Sequence, residues 1–101
     1  MEEVAVKIIL ESGDARSCAM EAIQCAKSKD FAKAKELMEQ CNEKISRAHV
    51  VQTGLIQAEA SGKKTELSVL LIHAQDHLMT SITVKDLANE IIELYTHVHH
   101  R

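Results

Sequence analysis

The sequence predicts an all-α fold, an antiparallel three-helix bundle, and three observations carry that prediction. The 101 residues include no Pro and only three Gly, so little interrupts helix propagation. Phe31 and Tyr95 are the only aromatics, and the β-branched, aromatic-rich alternation of strands is missing. Apolar residues instead recur at steps of three and four through three long segments joined by short polar links, the pattern of bundle helices. A chain of this length is expected to form one domain, 1–101, with too little core to leave much margin of stability.

The first helix is expected over about 2–28, with Val6, Ile9, Leu10, Met20 and Ile23 on a helical period. Gly13 in its interior costs about 1 kcal/mol, which suggests close packing or a bend. Asp30 is the N-cap of a second helix over about 31–60, rich in Ala, Leu, Lys and Glu. Ser61-Gly62-Lys63-Lys64 ends it. Thr65 is then the expected cap of a third helix over about 65–98, roughly 45–50 Å long at 1.5 Å per residue. Helical hairpin repeats share this periodicity, but no self-similarity of about 34 residues is present.

Composition narrows the function. Twelve basic and fifteen acidic residues give a net charge of −3 with the signs intermixed, so no basic stripe offers itself to nucleic acid. The longest apolar runs fall far short of the roughly 20 residues of a membrane span. Cys18, Cys25 and Cys41 form no C-x-x-C pair, and an odd count without a signal peptide fits reduced thiols in the cytoplasm. Cys18 and Cys25, seven apart, are expected as small core residues on one stripe. His97, His99 and His100 are assigned no role, as a polar helix end.

The third helix is apolar on most of its circumference. One seam runs through Leu70, His73, His77, Thr80, Val84, Leu87, Ile91, Leu94 and Val98, and a second through Val69, Ile72, Asp76, Met79 and Thr83. Leu71, Ala74, Leu78 and Ile82 make a third apolar line. Two partner helices in so short a chain hardly cover all three lines, so self-association through this helix is expected. If the Asp76 seam lies on a rotation axis, carboxylates converge there, and like charges in low dielectric either protonate or gather a hard cation such as Mg²⁺ or Ca²⁺. The plainer reading is a partly hydrated Asp at a seam edge.

His73 and His77 lie four apart and project from one helix face. H-x-x-x-H alone is compatible with a structural pair, a metal site or a nucleophile. As a zinc site it lacks the Glu of H-E-x-x-H, and Asp76 is turned about 60° from the histidine line. As a nucleophile, neutral imidazole attacks phosphorus readily near pH 7, and a second histidine one turn away fixes the ring or bonds a transferred group.

The run His73-Ala74-Gln75-Asp76-His77-Leu78-Met79-Thr80, preceded by Leu70-Leu71-Ile72 and followed by Val84-Lys85-Asp86-Leu87, resembles the signature of the lactose/cellobiose-type IIA components of the bacterial phosphoenolpyruvate-dependent sugar phosphotransferase system. Ser12-Gly13-Asp14-Ala15-Arg16-Ser17, Asp30-Phe31-Ala32-Lys33-Ala34, Ala48-His49-x-x-Gln52-Thr53-Gly54-Leu55-Ile56 and Glu59-Ala60-Ser61-Gly62 agree with the family in order and spacing. The resemblance implies a homotrimer with the third helices near the axis. It implies that His73 is phosphorylated by the carrier HPr and passes the group to a cysteine of a IIB partner, while a IIC membrane component brings in the sugar. It implies Asp76 as an axial residue meeting a divalent cation, Mg²⁺ in expectation, and Gln75 and His77 in supporting roles beside His73. It implies a β-linked disaccharide as the sugar, with cellobiose, lactose, chitobiose and related β-glucosides all open. Leu70 and Met79 are expected on an apolar docking rim. The alternative is a metal-binding or adaptor bundle without covalent chemistry.

Overall fold

Asp30 and Ser68 set where two of the three helices begin. In the computed structural model, which describes residues 2–100, the helices are α1 (Glu2–Lys27), α2 (Phe31–Ala60) and α3 (Val69–His99). The Asp30 side chain accepts a hydrogen bond from the Lys33 backbone N–H, as an N-cap should. Thr65 is not the cap of α3. Ser68 takes that place, with extended backbone and an Oγ that accepts from Leu71 N at 3.1 Å, so the cap of α3 lies three residues later than the sequence pattern indicates.

Both inter-helix turns close by the same device. After α1, Lys29 N donates to Ala26 O and Asp30 N to Cys25 O; after α2, Gly62 N donates to Glu59 O and Lys63 N to Ala58 O. Each pair satisfies carbonyls left open at a helix end, and each needs one residue in the left-handed region. Gly62 adopts φ 91° there, as glycine does freely. Lys29 holds φ 67° at a steric cost.

The cross-links give the topology. Arg47 Nε donates to Glu11 Oε2 at 3.2 Å and Lys44 pairs with Asp14 at 3.7 Å, so α2 runs antiparallel to α1. Gln52 of α2 meets Gln75 of α3 while Phe31 meets His99, so α3 is antiparallel to α2 and hence parallel to α1, to which Ser81 Oγ ties it by donating to the Ser12 carbonyl at 3.0 Å. The molecule is a rod of 55 × 20 × 18 Å.

Its core is built from small residues. Ala5, Ala15, Ala19, Ala22 and Ala26 of α1 are at most 1 % exposed, and Ala34, Ala48, Ala74 and Ala88 are fully buried opposite them. Ile8, Leu37, Met38, Ile45, Leu71 and Leu78 fill the remaining space. The third apolar line of α3 is thus the core-facing one. Val6, Leu10 and Met20, expected on the inner period of α1, are exposed instead, because alanines already occupy the side that meets α2 and α3. Gly13 does not mark close packing inside the subunit: α1 continues through it, and an added Cβ would meet no atom within 4 Å. Cys41 is the fully buried thiol; Cys18 and Cys25 are only half-buried, at the edge of the core. Burial pushes the Cys41 and Cys18 thiols above their ordinary range.

Candidate functional site

Successive α3 residues turn by about 100°, so the helix can be mapped from its buried line outward. Leu71, Ala74, Leu78, Ser81 and Ala88 face the core. Opposite them, seven large apolar residues are exposed within about a third of the circumference: Val69, Ile72, Met79, Leu87, Ile91, Leu94 and Val98. Asp76 lies in the middle of that ridge, exposed and without an ion-pair partner among the described residues. An apolar ridge of this extent on a rod so narrow is a surface built to be covered.

His73 and His77 occupy one flank of the ridge. Their rings meet edge to face, with centroids 4.9 Å apart and planes at 71°. His73 is exposed and His77 half-buried, so the first ring is open to a partner while the second leans against it. Thr80 Oγ1 donates to the Asp76 and His77 carbonyls at 2.9 and 3.2 Å, which ties the hydroxyl back to the helix and away from the imidazoles.

Gln75 and Met79 occupy the other flank. Gln75 is about 200° from His73 around α3 and is turned toward α2, where Gln52 Nε2 donates to its Oε1. Gln52 Nε2 also lies 3.6 Å from Met79 Sδ. Thus the sequence-derived residues separate into two groups, His73 with His77 and Gln75 apart from both, with Asp76 between. No three His, Cys, Asp or Glu side chains of the described residues gather as a metal cage within the subunit, so His73, Asp76 and His77 are not one chelating set. Among the described residues no helix is long and apolar enough to cross a membrane.

The residue that sequence reasoning left without a role is Gln52. A signal was present: it continues the buried α2 line of Cys41, Ile45 and Ala48, where an apolar residue is the rule. At the far end of the rod, His99 packs against Phe31 at 5.4 Å, well away from His73, and α3 stays helical to that residue. Arg101, at the end of the histidine-dense run, lies outside the described residues.

Residues 3–96 match the family model of the PTS system lactose/cellobiose specific IIA subunit. The chain belongs to that family. The lichenan-specific phosphotransferase enzyme IIA component of Bacillus subtilis is 55 % identical over 95 residues, covering 94 % of this chain and 86 % of that protein. The crystal structure of the cellobiose-specific enzyme IIA from Bacillus anthracis superposes with a TM-score of 0.94 at 56 % identity, covering 98 % of this chain and 91 % of that one. A solution structure of the Escherichia coli IIA(chitobiose)–HPr complex matches with a TM-score of 0.84 at 45 % identity, over 97 % and 95 % of the two chains. This IIA chain is accordingly a phosphotransferase component, a phosphoryl carrier of a sugar-uptake system.

Proposed function

We propose that His73 is the phosphoryl acceptor, charged by phospho-HPr and discharged to a cysteine of a IIB component. The observation that carries this reading is an exposed imidazole held edge-on by a second imidazole, on the family's helix. A ring nitrogen of neutral His73 offers its lone pair to phosphorus; the P–N bond of the donor phosphohistidine breaks and the donor nitrogen keeps the electron pair. In the onward step a IIB thiolate attacks, a P–S bond forms and the His73 P–N bond breaks. The work left to the protein is alignment and stabilisation of spread negative charge. The IIC component then admits the sugar that IIB phosphorylates. The names of the relatives, specific for lichenan, cellobiose and chitobiose, favour a β-linked disaccharide. A cytoplasmic setting fits a carrier that meets two protein partners in turn.

The working unit is a homotrimer. With the apolar ridge of α3 turned to a threefold axis, rotation brings the His73 flank of one copy against the Gln75 flank of the next. Each site then combines His73 and His77 of one subunit with Gln75 and Met79 of its neighbour, which explains why a single chain keeps them apart. Asp76, at the centre of the ridge, places one carboxylate per subunit at the axis. That donor set suits a hard divalent cation such as Mg²⁺, held by three Asp76 carboxylates, which offsets their mutual repulsion. Partners dock on a rim that includes Leu70 and Met79.

Intact mass tests the reading, after incubation with phosphoenolpyruvate, enzyme I and HPr. One phosphoryl group per chain, lost in acid, kept in base and absent from His73→Ala, is expected. A folded protein that gains no mass from competent donors refutes it.

A further inference from the structure

We propose that Gln52 is a positioning residue for phosphoryl transfer, orienting the Gln75 amide so that its NH₂ group faces the phosphoryl site; this rests on the shared-site reading above. Gln52 is 7 % exposed on the inner line of α2. A buried amide there costs free energy unless it is hydrogen-bonded, and an apolar residue would pack the same space without that cost. Its contacts account for its presence. They go to Gln75 and Met79, one turn apart on α3 and both on the flank that completes the neighbour's site.

The chemistry of those contacts fixes which way each amide points. Met79 Sδ is an acceptor only, so the end of Gln52 beside it is the NH₂ end. The Gln75 atom meeting that donor is therefore its carbonyl Oε1. With Oε1 engaged by α2, the Gln75 NH₂ is the end left to donate to a group carried by the approaching subunit. A phosphoryl group carries only acceptor oxygens, so an NH₂ offered to it stabilises it, whereas a flipped amide would present a carbonyl and repel it. Gln52 thus sets the sign of the dipole that the neighbouring His73 encounters, without touching the reacting atoms.

The test is a double-mutant cycle on the intact trimer, following transfer of labelled phosphate from phospho-HPr. Gln52→Met keeps the volume and removes the donor. Transfer is expected to slow about three- to tenfold, the worth of one oriented hydrogen bond, while sedimentation and thermal midpoint stay near wild type. In the Gln75→Ala background the same change is expected to have no further effect, because its route is already cut; a purely structural role would give multiplying losses. As a measurement that leaves Gln52 intact, its side-chain amide proton resonances are expected to move on phosphorylation of wild type and to stay fixed in Gln75→Ala. Unimpaired transfer by Gln52→Met, multiplying effects, or amide resonances indifferent to phosphorylation each overturn the proposal while wild type is still labelled. A wild type that takes up no label overturns the parent reading instead.

Discussion

Replacing Leu94 by aspartate tests the axial placement of α3 far from the chemistry. Leu94 lies 18 positions beyond Asp76, five whole turns at 3.6 residues per turn, so the two share one line along the ridge about 27 Å apart. In the single chain Leu94 is 62 % exposed. Full burial of a leucine is worth about 1.5–3 kcal/mol, so covering the exposed part contributes about 1–2 kcal/mol per subunit and about 3–6 kcal/mol per trimer. Leu94→Asp forfeits that and gathers three carboxylates in an apolar seam. At about 1.4 kcal/mol per factor of ten, the lost burial alone weakens assembly by about 10²- to 10⁴-fold. Sedimentation equilibrium over a range of concentrations, with circular dichroism alongside, reads the outcome. A helical monomer is expected, with Leu94→Ala intermediate. A Leu94→Asp trimer as tight as wild type would show that the ridge does not meet itself at an axis.

Three further outcomes are expected. Asp76→Leu leaves a trimer that is at least as firm and no longer responds to chelator, since an apolar triplet replaces an ionic one; sedimentation with and without chelator decides, and monomers would count against the axial position. Lys29→Gly relieves a φ of 67° and stabilises by about 0.5–1 kcal/mol after the greater freedom of the unfolded glycine is offset. That amounts to a rise of about 2–6 °C in thermal midpoint, and a fall would refute the strain. Stability is expected to decline in alkali. The Cys41 pKa is raised above 9.0 in the folded chain, so its contribution is complete below the unfolded value and is lost as pH rises through the folded one, and melts of wild type against Cys41→Ala should converge there.

How much of this was legible in the sequence depended on whether the signal was local. The start of α2 was, because Asp30 stands alone as a cap three residues before the N–H it accepts from. The start of α3 was not: Thr65 and Ser68 are both hydroxyl residues ahead of an apolar run, and it is the fold that makes Ser68 the cap, with its Oγ accepting from Leu71 N. Periodicity showed that α3 is apolar on several sides but not which line is inside, since Leu71 and Ile72 are equally apolar and one is buried while the other is 59 % exposed. The pairing of His73 with His77 followed from spacing. Gln52 escaped because its partners, Gln75 and Met79, come from another helix, and only the fold brings them to it.

The distribution of side-chain size ties these features together. Nine buried alanines share the interior with Ile8, Leu37, Met38, Ile45, Leu71 and Leu78, while seven further large apolar side chains are left on the outer face of α3. On the trimer proposed above, a subunit built this way adds to the burial of its own core the burial of its outer ridge against its neighbours. The site follows the same division, because the two flanks that make it belong to opposite sides of one helix. On that proposal, assembly and competence for transfer are one property. A Leu94→Asp chain should lose phosphoryl acceptance along with its trimer, although residue 94 is 21 positions, about 32 Å of helix, from His73 and touches none of the reacting groups.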